Sequence, residues 1–462
     1  MHYVSTRGGA GVRDFAGVVL TGLAEDGGLF VPQSWPQLSE RDLIELRGHG
    51  YEDVAMRVMQ PFVGDALDQP TLARLIEEAY ATFEHPAVTP LRQIDSETWL
   101  LELFHGPTLA FKDCALQLLG RLMSHFLERD KQRLTIIGAT SGDTGSAAIE
   151  ACRDRDGLEI FILHPKGRIS DVQRRQMTTV TSGNVHNIAI EGTFDDCQAL
   201  VKDLFGDAEF RNEAKLGAVN SINWARVLAQ AVYYVVAALA LGAPARQIAF
   251  SVPTGNFGDV YAGYCASRMG LPISQLIVAT NNNDILARFF GSGAYQPDRV
   301  VATMSPSMDI QIASNFERLL FEMVDRSGEA VTGAMQSLKQ SGSFSVDPEH
   351  MDRVGQLFSA KRIGEAETLD TIRDVATRAG IVIDPHTAVG IAAGRLTRKS
   401  KATPLVCLAT AHPAKFPDAI DKALGSPPPS PPKIASLFER EERYDVVAND
   451  PAAVKNYVRE YL

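Results

Sequence analysis

The chain has 462 residues, 45% of them hydrophobic and 22% charged, enough for a sizeable buried core spread over two or three domains. A formal net charge of −11 argues against non-specific nucleic-acid binding, and an anionic ligand would need a local pocket of cations or amides. Five scattered cysteines (Cys114, Cys152, Cys197, Cys265 and Cys407), none in a CxxC pair, point to a reducing compartment and away from zinc.

The start, "MHYVSTRGGAGVRDF", lacks the apolar run of a signal peptide. "DLIELRGHGYEDVAMRVMQPFV" (42–63) and "TLARLIEEAYATF" (71–83) repeat apolar residues every three or four positions, so residues 1–95 read as a mixed, mostly helical unit. Short apolar runs bounded by turn residues follow: "TWLLELF", "LTIIGATSGDTG", "EIFILHP" and "VHNIAIEG". Each precedes a helix-like stretch, which predicts a small α/β unit over 96–217 with a largely parallel sheet. The longest apolar run, "VLAQAVYYVVAALALGA" (227–243), contains Gln230 and is short for a membrane span, so it predicts a buried helix and a cytoplasmic protein. "QIAFSVPTGNFGD", "QLIVATNNND" and "TPLVCLATAHPAKF" are strands running into polar turns, which predicts a second α/β unit over 218–424. Within it, 284–380 reads as a largely helical insertion, with "SNFERLLFEMV" its clearest amphipathic piece. "GSPPPSPPK" (425–433) is a proline-rich spacer before an ordered, helical tail that ends at 462.

Three stretches carry chemistry. In "FHGPTLAFKD", Lys112 follows a turn and an aromatic and precedes Asp113 and a helical pattern. A surface lysine needs no such setting, whereas a Schiff-base lysine needs a fixed position and a lowered pKa. In "GATSGDTGSAA" a strand ends in a small, hydroxyl-rich turn at a helix start, where backbone amides favour an anion. In "SVPTGNFGDVYAG", Gly255 and Gly258 let the backbone approach a second anion closely, and Asn256 adds a donor. Taken singly, the last two are also ordinary strand–turn–helix crossovers, and neither is a GxGxxG or Walker loop.

The motifs "FHGPTLAFKD", "TSGDTG", "NSINWARVLAQ", "PTGNFGD" and "LATAHPAKF", in this order, resemble the threonine synthase family in its longer, bacterial and fungal subgroup. The start "YVSTRG…DFAGVVLTGLAEDGGLFVP" resembles the same family's N-terminal signature, so the likeness runs from residue 2 to about 450. It implies an α/β fold of the fold-type II pyridoxal-phosphate enzymes (tryptophan synthase β-like). This fold has two open, mostly parallel α/β domains, joined here by an additional N-terminal domain. The implied activity is a carbon–oxygen lyase reaction on a phosphate ester. O-phospho-L-homoserine and water become L-threonine and phosphate, with pyridoxal 5′-phosphate as cofactor.

By the same resemblance, Lys112 holds the cofactor as a Schiff base, while Gly255, Asn256, Phe257 and Gly258 cradle its phosphate. Asp259 follows at the helix start, beside the cofactor or as a helix cap. Thr410 faces the pyridine nitrogen, and a hydroxyl there leaves the ring largely unprotonated. Thr140, Ser141, Gly142 and Thr144 receive the substrate carboxylate. Asp143 stands beside the cofactor's 3′-hydroxyl, where an acid needs a proton or a nearby cation. Asn220, Ser221, Asn223 and Arg226 bind the substrate phosphate, Arg226 as a bidentate partner. His105 is a further site residue by its nearness to Lys112, while His386 and His412 read as turn-fixing, and no histidine pattern suggests a metal. The rivals are a serine or threonine dehydratase, a phosphohomoserine lyase releasing a keto acid, and a non-catalytic binding protein on the same scaffold. Expected partners are the small-molecule substrate alone, with no nucleic acid and no membrane; a homo-oligomer stays open.

Overall fold

The computed structural model describes residues 1–140, 142–217 and 219–462. Near the N-terminus, β1 (Tyr3–Ser5) pairs antiparallel with β2 (Phe30–Pro32). The helices Tyr51–Val63 and Gln69–Tyr80 follow, the second capped by Asp68, whose side chain accepts from the Thr71 amide. Their apolar spacing works as expected, since Val54, Val58, Phe62, Leu72, Leu75 and Ile76 are all buried. This unit docks on the helix Trp224–Ala240 through Trp224, whose ring lies 5.9 Å from both Tyr3 and Phe62 and 6.2 Å from Trp35.

The remaining strands, in chain order, are β3 (Leu91–Gln93), β4 (Thr98–Glu102), β5 (Leu134–Ala139), β6 (Leu158–Pro165), β7 (Val185–Ile190) and β8 (Leu216–Gly217). After them come β9 (Ile248–Pro253), β10 (Ile273–Thr280), β11 (Ala294–Tyr295), β12 (Phe344–Ser345), β13 (Phe358–Arg362), β14 (Leu405–Ala409) and β15 (Asp445–Val447). Apart from β11 and β12, which pair antiparallel with each other, they form, among the described residues, a six-stranded sheet, ordered β13-β10-β9-β14-β4-β3, and a five-stranded one, β15-β7-β6-β5-β8. Every neighbouring pair in both is parallel except β3 with β4. β7 and β9 are buried at all six positions, as strands covered on both faces must be, with polar His186, Asn187 and Ser251 buried among their apolar residues. Residues 227–240 of the run 227–243 fall in the helix Trp224–Ala240, which is buried along most of its length. Among the described residues no helix is long and apolar enough to cross a membrane.

Three placements differ from the sequence reading. β4, grouped there with the lysine unit, lies beside β14 in the six-stranded sheet, with Leu101 opposite Leu408. β13 falls inside the stretch read as helical, where a half-exposed five-residue strand leaves no long periodic signal. The tail is not simply helical: β15 adds to the edge of β7 before the helix Pro451–Arg459, and it covers backbone that would otherwise be open. All three follow from pairing between segments distant in sequence, which local pattern does not carry.

The carboxyl ends of β5, β9 and β14 meet at one cavity, where Thr140, Thr254 and Thr410 line the wall. This is the crevice position at which open parallel sheets present ligands.

Candidate active site

The turn before Lys112 is built around Asp113. The Thr108 amide and hydroxyl each donate to the Asp113 carboxylate at 2.7 Å. Gly106 is needed there, because a Cβ would come within 2.5 Å of the Asp113 side chain. Leu109 takes the left-handed φ of +60°. Lys112 thereby becomes the first residue of the helix Lys112–Arg129, buried, with Nζ 4.7 Å from the Phe111 ring centroid. Burial pushes its pKa from 10.5 to about 8; Asp143 opposes the shift, while Lys415 and Arg226 reinforce it.

At the end of β5, the Thr140 hydroxyl accepts from the amides of Gly142 (3.0 Å) and Gly145 (2.9 Å), closing the turn that starts the helix Asp143–Cys152. Thr140, Asp143 and Thr144 line the cavity. Gly142 does not. It holds φ at +149°, and a Cβ there would sit 2.4 Å from the Gln173 side chain. Ser141, expected at the substrate carboxylate, lies outside the described residues. The cation that Asp143 requires is Lys415, whose Nζ lies 2.8 Å from Oδ1, with the Gln173 amide donating to the same oxygen at 2.9 Å. Lys112 Nζ stands 3.8 Å from Oδ2. Burial alone would raise the Asp143 pKa, but Lys415 and then Lys112 hold it below the ordinary carboxylate value.

At the end of β9, residues 255–258 wrap the opposite wall. A Cβ on Gly255 would come within 2.7 Å of the Ser307 carbonyl oxygen, so only glycine lets the backbone pass. Phe257 sits at φ +66°, with its ring turned into a cluster with Phe316 (5.6 Å) and Phe358 (6.1 Å); toward the cavity it offers backbone. The Asn315 amide side chain donates to Asn256 O (3.2 Å) and Ser221 O (3.1 Å), tying this loop to the segment before Trp224. Asp259 is not the helix cap. One of its oxygens accepts from the hydroxyls of Tyr233 and Tyr234, and the other is buried without a partner.

Asn220, Ser221 and Arg226 line the cavity; Asn223 does not. Asn223 is fully buried, accepting from the Ala225 amide and donating to Val19 O at 2.8 Å, which makes it the N-cap of the helix Trp224–Ala240. Arg226 donates to Val219 O at 3.2 Å, and its Nε is buried without a partner. Burial lowers its pKa to about 10. A buried guanidinium with a free donor is prepared for an anion. Thr410 closes the set from the end of β14, its carbonyl accepting from the Phe111 amide at 2.8 Å.

The histidines divide differently from the sequence reading. His105 is held 2.8 Å from Glu102 on the wall of a second cavity of about 360 Å³, away from the lysine. His412 fixes a turn, accepting from the Ala414 amide. His386 lines the lysine cavity: Nδ1 meets buried Asp384 at 2.8 Å, and Nε2 accepts from the Ser307 amide at 3.2 Å. Sequence reasoning passed over Lys415, Gln173, Asn315, Ser307 and Gln230. Lys415, within the quoted "LATAHPAKF", and Gln230, at the end of "NSINWARVLAQ", stood in motifs that could have flagged them; the other three did not. The whole cavity measures about 400 Å³.

Comparison with known proteins agrees along the entire chain. Residues 2–80 match the family "Threonine synthase N terminus", 82–341 the family "Pyridoxal-phosphate dependent enzyme" and 387–458 the family "Threonine synthase, C-terminal". A threonine synthase of Pseudomonas aeruginosa is 52% identical over 100% of this chain and 98% of its own length. The crystal structure of the PLP-bound threonine synthase from Brucella melitensis is similar with a TM-score of 0.98 at 53% identity, covering 100% of this chain and 99% of that one. The yeast enzyme's structure gives 0.95 at 40% identity, covering 99% and 98%. Likeness of this degree from end to end leaves one assignment: the chain belongs to the threonine synthase family of pyridoxal-phosphate-dependent enzymes.

Proposed function

We propose that this enzyme converts O-phospho-L-homoserine and water to L-threonine and phosphate, with pyridoxal phosphate held on Lys112. The observation that carries the reading is one cavity offering a buried lysine and two separate anion sites, the loop 255–258 and Arg226. A cofactor phosphate and a substrate phosphate need one each.

The residues present fit the cofactor. The cradle at Gly255 has no room for a Cβ, Phe257 presents backbone alone, and Asp143 is held as a carboxylate by Lys415. Lys112 would hold the cofactor's carbon, Gly255, Asn256, Phe257 and Gly258 its phosphate, Thr410 its ring nitrogen, and Asp143 the side carrying its 3′-hydroxyl. When bound, pyridoxal phosphate supplies an electron sink for loss of the substrate's Cα proton.

The chain's own groups do the rest. Arg226, with Asn220 and Ser221, orients the leaving phosphate. Its free Nε completes the fork only when an anion arrives. Thr140 and Thr144, at the turn after β5, receive the substrate carboxylate. Lys112 Nζ, lowered toward neutrality, takes and returns protons at Cα, Cβ and Cγ from one side. A dehydratase has no second phosphate to bind and no use for Arg226, and a lyase would release a keto acid instead. Five buried, free cysteines support a reducing, cytoplasmic setting.

The test is an assay of threonine, phosphate and keto acid released from O-phospho-L-homoserine. Equal threonine and phosphate are expected, and keto acid as the main product overturns the reading. Arg226→Ala should raise KM well over tenfold, from about 2–5 kcal/mol for a truncated buried charge contact, while the cofactor's visible spectrum holds.

A further inference from the structure

Lys415 is among the most completely buried charges in the protein, and it stands behind the cavity wall, not on it. Burying an ammonium for packing alone is unfavourable when a methionine would fill the space. Its contacts explain the position. Nζ lies 2.8 Å from Asp143 Oδ1 and donates to Thr108 O at 2.8 Å, joining the Lys112 turn to the turn after β5. Gln173 occupies Asp143 Oδ1 as well, so only Oδ2 is left toward Lys112, and Lys112 Nζ stops 3.8 Å short of it.

We propose that Lys415 is a positioning residue whose charge satisfies Asp143, so that Lys112 keeps an uncharged amine for the cofactor. This rests on the reading of Lys112 given above. Without Lys415, the nearest cation to Asp143 is Lys112. The two, a loose ion pair at 3.8 Å, would then close to hydrogen-bond distance and fix the amine as ammonium, which is no nucleophile. The other charges that face Lys112 do not substitute for this pairing. Arg226 comes from the helix Trp224–Ala240, Asp259 from the helix Gly258–Arg268, and Asp113, from Lys112's own helix, is committed to Thr108. The direction of the Lys112 shift agrees, with Asp143 opposing it and Lys415 supporting it.

The test titrates Lys112 in the cofactor-free protein, by the pH dependence of its acylation followed by peptide mass spectrometry. Lys415→Gln keeps donors to Asp143 and to Thr108 O but removes the charge. It should move the Lys112 midpoint up by at least one pH unit, about a tenfold loss of free amine near neutral pH. In an Asp143→Asn background the same change should move it much less, as a double-mutant cycle reads. An unmoved midpoint in Lys415→Gln, or an equal shift in both backgrounds, overturns the proposal. If Lys415→Gln does not fold, Lys415→Arg keeps the charge and should hold the parent midpoint; a shift of one unit in that folded variant also overturns it. No cofactor or substrate enters the titration. A parent that releases no threonine therefore overturns the proposed function alone, and a parent active alongside an unmoved Lys415→Gln midpoint overturns this inference alone.

Discussion

At pH 8 an ordinary lysine is almost wholly an ammonium ion, while Lys112, its pKa lowered to about 8 mainly by burial, is close to half free amine. The rate at which cofactor-free enzyme captures pyridoxal phosphate should therefore climb with pH and level off above about 8, followed by absorbance in rapid mixing. A rate still climbing at pH 10 would mean an ordinary lysine. Asp259 carries the opposite shift. Burial raises its pKa to about 6, while the hydroxyls of Tyr233 and Tyr234 and the charge of Lys112 pull it down. Because the folded value lies above the unfolded 3.8, this group's stabilisation is complete below about pH 4 and is lost as pH rises through 6. Asp259→Asn removes the titrating group. Its melting temperature should fall less than the parent's between pH 4 and 7, and parallel curves would refute the assignment. At this scale Lys112 was legible, because the residues that set it up are its immediate neighbours. Lys415 was not legible as a partner, since it reaches Thr108 across 307 positions of sequence.

The loops that line the cavity are where the elements end. β9 stops at Pro253, and the chain must turn through residues 255–258 before the helix Gly258–Arg268 can begin. At Gly255 the turn runs against the Ser307 carbonyl, which belongs to a segment held in place by His386. Gly255→Ala should push the two apart and weaken cofactor binding by about 2 kcal/mol, roughly thirtyfold, within the usual range for overpacking. Equilibrium titration of the visible band checks this, and unchanged affinity would remove the loop from the cradle. The helix Asp171–Thr178 shows a second kind of dependence between elements. It carries Gln173 to Asp143, and it is clamped from the tail by Glu442, which accepts from Arg174 (2.8 Å) and from the Thr178 hydroxyl (2.7 Å). Most helix and strand types were readable from apolar period; the short, half-exposed β13 and β15 were not. The membership of β4 and β15 in their sheets was not, because a strand's partner is a segment distant in sequence, β14 for β4 and β7 for β15.

Across the whole molecule, the two ends of the chain are held against its middle. Arg7 and the Thr6 hydroxyl both meet Glu317, at 2.8 and 2.6 Å, from more than 300 positions away. Glu317 is buried while Arg7 is partly open to solvent, so breaking the pair leaves one charge only half compensated. Glu317→Ala should lower stability by about 2 kcal/mol, less than for a fully buried pair. A urea midpoint within error of the parent's would show that the N-terminal unit is held by the Trp224 cluster alone. The sequence by itself determined the family, most of the element types and the turns that set Lys112 and residues 255–258 on the cavity wall, because each is written in contiguous residues whose chemistry is local. Only the tertiary structure decided that Asn223 is a helix cap, that His105 belongs to another cavity and His386 to this one, and that Asp143 has its cation in Lys415. Those assignments depend on where side chains from distant segments meet, and burial then sets their energies through distance and desolvation, neither of which spacing along a chain contains.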